Sequence, residues 1–130
     1  MTTTMTTADS PARTLLRVEI RTAAGWHPVC DLNLLTHGRG VAALLPDGTQ
    51  AAVFLGRTGD VYAIGNRDPF TGAYVLSRGL LGSAPAAQGS RPFVASPLLK
   101  QRFDLATGRC LDDEEVAVPA YPARIAEVAA

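Results

Sequence analysis

Three observations predict an all-β fold, an antiparallel sandwich or partly open barrel. Short apolar runs recur between turn-forming clusters such as Pro46-Asp47-Gly48-Thr49 and Arg57-Thr58-Gly59-Asp60. No segment keeps a helical period beyond two turns. With 47% apolar and only 18% charged residues, the chain can bury a substantial face. Many short strands punctuated by Gly and Pro are the signature of sandwiches and barrels.

The elements follow in order. Residues 1–13 carry few large apolar groups and include Pro11, and are expected as a disordered tail. Residues 14–130 are expected as one domain, a size at which roughly two thirds of the unfolded surface is buried. Leu16, Val18 and Ile20 alternate with Arg17, Glu19 and Arg21, a period of two that predicts a strand with its apolar side inward. Trp26 to Cys30 reads as a short strand, and Asp31 to Thr36 as one helical turn with Asp31 as its cap. Val41–Leu45 and Gln50–Leu55 form a hairpin around Pro46-Asp47-Gly48-Thr49, and Val61–Gly65 is the next strand. Thr71 to Ser90, rich in Gly, Ala and Ser, reads as a long irregular connection with one short strand at Tyr74 to Ser77. Strands at Arg91–Ala95 and Gln101–Leu105 flank a loop. Thr107-Gly108 turns the chain so that Arg109–Leu111 pairs back, and Val116–Tyr121 and Ala123–Val128 close the sheet.

Charge removes several functions. Twelve Lys and Arg balance twelve Asp and Glu, and there is no basic run, which argues against nucleic-acid binding through phosphate neutralisation. No stretch is long and apolar enough to cross a bilayer, and the Thr-rich start lacks the basic and apolar regions of a signal peptide. A cytoplasmic location is expected, with Cys30 and Cys110 reduced and acting as small buried hydrophobes. Charge is uneven along the chain. Seven basic residues face three acids between Gly56 and Arg109, whereas five acids and one Arg follow Cys110. The run Asp112-Asp113-Glu114-Glu115 reads either as a solvated turn or as a docking face for a partner of opposite charge. There is no nucleophile elbow and no phosphate-cradling loop, and His27 and His37 have no partner at ligand spacing.

Two loops carry the most information. Val61-Tyr62-Ala63-Ile64 leads into Asn66-Arg67-Asp68-Pro69-Phe70. Val94-Ala95 leads into Ser96-Pro97-Leu98-Leu99-Lys100-Gln101, then Phe103-Asp104-Leu105 and Thr107-Gly108. These stretches resemble the two ligand loops of a Rieske ferredoxin, which read Cys-x-His and Cys-Pro-x-His-Gly-x-x-Phe-Asp. By position, Asp68 and Ser96 stand at the cysteines and Phe70 and Leu99 at the histidines, while Lys100 replaces the glycine. A Rieske centre needs two thiolates on one iron and two imidazoles on the other. Phe and Leu have no donor atom, so no metal, cofactor or catalytic residue is expected in this chain. The side chains of Phe70 and Leu99 are expected to pack together in the space a cluster would fill, because voids are costly.

A Rieske-like domain without its ligands resembles the small subunit of cytoplasmic NAD(P)H-dependent assimilatory nitrite reductase, from about Trp26 to about Val128. The further stretches that carry this are Trp26-His27-Pro28-Val29-Cys30, Gln50-Ala51-Ala52-Val53-Phe54, Val75-Leu76-Ser77-Arg78-Gly79 and Gly108-Arg109-Cys110-Leu111. The resemblance implies a large-subunit partner carrying FAD, a [4Fe-4S] cluster and sirohaem, which reduces nitrite to ammonium. This chain would be its non-catalytic companion. The expected contact surface is Asp68, Pro69 and Phe70 with Ser96, Pro97, Leu98, Leu99, Lys100 and Gln101, an apolar tip edged by charge. A divergent Rieske electron carrier, or a binding module serving another partner, stands as the alternative.

Overall fold

The computed structural model describes residues 14–87 and 89–129. The expected tail at 1–13 lies outside them. Ten strands run in the order β1 (Thr14–Thr22), β2 (Gly25–Asp31), β3 (Gly40–Leu44), β4 (Gln50–Leu55), β5 (Val61–Gly65), β6 (Leu80–Ala86), β7 (Gly89–Ala95), β8 (Arg102–Asp104), β9 (Ala120–Tyr121) and β10 (Ala123–Ala129). They form three sheets, ordered β10-β1-β2, β3-β4-β5-β9 and β6-β7-β8, and every pairing is antiparallel. The all-β expectation holds.

The four-stranded sheet separates two cores. Successive strand residues point to opposite faces. On β4, Ala52 and Phe54 therefore join Ile64, Leu76, Val94, Phe103 and Leu105 in one cluster, while Ala51 and Val53 join Val18, Ile20, Leu35 and Leu45 in the other. Residues 51–54 are all fully buried, which is why β4 reads as an unbroken apolar run rather than an alternating one. Each large side chain in these clusters contributes about 1.5–3 kcal/mol of burial free energy. The sheet β6-β7-β8 closes the first core and β10-β1-β2 the second.

Several local expectations are corrected. On β1, Leu16 is 44% exposed, whereas Glu19 is buried with Val18 and Ile20. The register against β2 shifts between Val18 and Glu19, and this bulge breaks the period of two. Thr71 to Ser90 is not one irregular connection. It holds a 3-10 turn at Leu76–Arg78 in place of the expected strand at Tyr74 to Ser77, then β6 and the start of β7. The composition concealed β6 because Gly82 lies directly opposite Phe93, where a Cβ would sit 2.6 Å from the ring, and because Pro85 is tolerated on an edge strand. Asp31 precedes a 3-10 turn at Leu32–Leu34 but makes no side-chain cap. Arg109 to Leu111 pairs back onto β8 through an isolated bridge, Phe103 to Cys110, and the strand expected at Val116 to Tyr121 is reduced to β9 and a bridge from Ala117 to Arg109. Cys110 is buried and Cys30 half-buried.

Candidate functional site at the two loops

The first loop leaves β5 and folds on its own backbone. The Asp68 N–H donates to the Ala73 carbonyl at 2.8 Å, and the Gly72 N–H to the Asp68 carbonyl at 2.7 Å. Asp68 Oδ1 accepts the Phe70 N–H at 2.8 Å, an Asx turn that accounts for Asp ahead of Pro69. The second loop joins β7 to β8. Ser96 N–H donates to the Gln101 carbonyl at 2.9 Å, and Lys100 N–H to the Ser96 carbonyl at 3.0 Å. This tight turn puts Lys100 at φ +67°, the left-handed region that favours glycine. Among the described residues no other non-glycine residue has positive φ.

One hydrogen bond joins the loops. Ser96 Oγ donates to Asp68 Oδ2 at 2.5 Å, and both residues are buried. Ser96 Oγ also accepts the Leu98 N–H at 3.4 Å. The two positions aligned with thiolates are thus in direct contact, and each satisfies the other. A bond of this kind to a carboxyl group contributes about 1.5–3 kcal/mol. Removing either partner strands a buried polar group. Asp68 and Ser96, expected on a contact face, are buried and hold the two loops together.

The histidine positions behave differently from one another. Phe70 turns inward onto Phe103, with ring centroids 6.2 Å apart and planes at 50°, a favourable aromatic geometry. Leu99 is 56% exposed and lies outside the buried cluster. Phe70 thus packs on Phe103, whereas Leu99, expected to pack with it in a filled space, is largely exposed. Pro69, Pro97, Leu98 and Lys100 are also exposed, Leu98 by 50%. Gln101 is half-buried, and its Oε1 is buried with no hydrogen-bond partner.

These positions do not fit a [2Fe-2S] cluster. Two of four side chains lack a donor, and the other two are already engaged with each other. Among the described residues no group of three or more His, Cys, Asp or Glu could hold a metal ion. His27 is half-buried on β2 and His37 is exposed ahead of β3. The redox-carrier alternative therefore has no ligand set to stand on.

The flanking charges are fixed by the strands. Buried Asp104 receives Arg91 Nε at 2.6 Å on Oδ2 and the N–H groups of Ala106 and Thr107 on Oδ1. Asp112 receives the Arg102 N–H at 2.8 Å and its guanidinium at 2.7 Å. That pairing holds the Asp112 carboxyl below its usual range, chiefly through the side-chain hydrogen bond, and raises Arg102 for the same reason. The first acid of the acidic run is thus engaged beside the second loop, whereas residues 113–115 are exposed. Sequence reading missed two features of this site, the Asp68–Ser96 bond and the hub at Asn66. Buried Asn66 accepts the Ser77 N–H at 2.7 Å on Oδ1 and donates from Nδ2 to Gln50 Oε1 at 3.0 Å.

Known proteins supply the context for this geometry. Residues 25–129 match the family described as the Rieske-like [2Fe-2S] domain. The NADH nitrite reductase small subunit of Salmonella typhimurium is 45% identical over 101 residues, covering 77% of this chain and 89% of that one. A Klebsiella oxytoca protein named nitrite reductase [NAD(P)H] large subunit is 46% identical over 101 residues, again 77% of this chain but only 10% of its own length. The solution structure of the nitrite reductase [NAD(P)H] small subunit from Erwinia carotovora superposes with a TM-score of 0.57 at 44% identity, covering 75% of this chain and 72% of that one.

Proposed function

The chain belongs to the family of NADH nitrite reductase small subunits, and on that premise we propose that it docks a large catalytic subunit through the tip of its two loops. The observation that carries this is the tip itself. A buried hydrogen bond fixes both loops, and outside it Pro69, Pro97, Leu98 and Leu99 stand exposed beside Lys100 and Arg67. Apolar residues on a rigid base, ringed by charge, have the composition of an interface core and rim. The Klebsiella protein supports the pairing, because there a segment like this chain is one part of a much longer nitrite reductase polypeptide.

In this reading the large subunit holds FAD, a [4Fe-4S] cluster and sirohaem, and carries out the six-electron reduction of nitrite to ammonium in the cytoplasm. This chain supplies no donor to those groups. Its part is to cover and order a surface of the large subunit. The test is co-purification followed by NAD(P)H-dependent nitrite reduction, with the large subunit alone and with this chain added. Stable association with higher turnover or a longer active lifetime is the expected result. Absence of both association and effect overturns the proposal.

A further inference from the structure

A cleft of about 350 Å³ lies between residues 38–40 and residues 77–80. Its walls meet as closely as their backbones allow. A Cβ on Gly40 would sit 2.5 Å from the Phe54 ring and 2.6 Å from the Ser77 carbonyl, and one on Gly79 would collide with the Ala95 carbonyl. Only glycine permits either approach.

The cleft is also joined to the tip. The Asn66 carbonyl accepts the Leu76 N–H at 3.1 Å and its side chain the Ser77 N–H, so the first loop grips the 3-10 turn that forms one wall. Leu80 pairs with Ala95, the residue immediately before Ser96, so the cleft borders the base of the second loop.

Its chemistry is one-sided. Arg39 and Arg78 line it and are exposed, and among the described residues neither takes part in an ion pair. Among the described residues no Asp or Glu lines it. Leu80, 73% exposed, lies on its rim. Two guanidiniums without counter-charge, beside an exposed leucine on preformed walls, suit a chain that brings carboxylates and an apolar side chain together.

We infer that this cleft receives an extended acidic segment of the large subunit, continuous with the contact at the tip. The inference rests on the docking reading above. The acidic run at residues 112–115 of a second copy is the competing occupant. Against that occupant, Asp112, the first acid of the run, already engages Arg102.

The experiment measures binding of the full chain to its purified large subunit at two salt concentrations, with the variants R39E/R78E and L98D/L99D. All four side chains are exposed, so both variants are expected to melt with the parent chain. R39E/R78E is expected to lose roughly tenfold or more in affinity and much of the salt dependence, and R39K/R78K to recover most of it. An oligoglutamate peptide is expected to compete with the large subunit for the parent chain at low salt. If R39E/R78E binds like the parent while L98D/L99D does not, the cleft is excluded and tip docking stands. If both bind like the parent, both readings fall. Self-association of the chain that R39E/R78E abolishes assigns the cleft to a second copy and overturns the inference.

Discussion

Asp68 and Glu19 are both buried carboxyl groups, held by opposite means. Asp68 sits in the first loop and is held by a neutral hydroxyl and a peptide N–H. Glu19 sits on β1, ahead of the segment that matches the family, and is held by two guanidiniums. Arg17 reaches Oε2 at 2.6 Å and Arg124 reaches Oε1 at 2.8 Å, and Arg124 also lies 4.0 Å from the Trp26 ring centroid. One carboxyl joins loops 28 residues apart in sequence, the other ties strands 105 residues apart. The neutral grip depends on shape and hydrogen-bond geometry. The ionic grip depends on pH and salt.

Removing the neutral grip has the largest expected effect. Asp68→Ala strands the Ser96 hydroxyl and the Phe70 N–H in the interior and opens a gap, which is expected to cost about 2–4 kcal/mol in urea unfolding. Ser96→Ala leaves most of the packing and is expected to cost about 1–3 kcal/mol. An Asp68→Ala chain as stable as the parent would show that the loops do not rely on this bond.

The ionic grip is exposed by acid. Hydrogen bonds from Arg17, then from Arg124, hold Glu19 below its usual carboxyl range. A depressed pKa in the folded chain stabilises it above the unfolded value, about 4.3 for Glu, and the contribution disappears as pH falls through the folded pKa. Thermal melting between pH 6 and pH 3 is therefore expected to separate the parent from Glu19→Gln at the upper end, with the difference narrowing as the pH drops. A constant gap would contradict an ionic role. Added salt narrows the same gap, whereas the Ser96→Ala difference is insensitive to it.

Lys100→Gly has the smallest effect and sharpens the contrast between stability and function. Glycine relieves the φ of +67°, and after its unfolded-state entropy the net gain is within about 1 kcal/mol. The tip also loses a cation, so large-subunit affinity is expected to fall while the melting temperature holds or rises.

The sequence made the strands and turns legible wherever a local signal sufficed. Asp47 in the β3–β4 turn accepts the Thr49 N–H and hydroxyl, which is why Pro46-Asp47-Gly48-Thr49 reads as a hairpin. Asp-Pro and Ser-Pro marked both loops of the site. What stayed hidden depended on distant partners. Nothing near Glu19 announces Arg124, so the alternation on β1 turned Val18 and Ile20 inward correctly but hid the burial of Glu19 beside them. β6 is built from small residues whose fitness for a strand lies in the Phe93 ring opposite Gly82. At the histidine positions composition told of an apolar pair, but only the fold sends Phe70 inward to Phe103 and leaves Leu99 outside.

The most direct measurement is amide hydrogen exchange on the full chain, alone and bound to its large subunit. Docking through the tip is expected to slow exchange at Phe70 and at Leu98 to Gln101, leaving β1 and β10 unchanged. Protection confined to β1, β10 or the acidic residues 113–115, with the two loops exchanging as in the free chain, would contradict it.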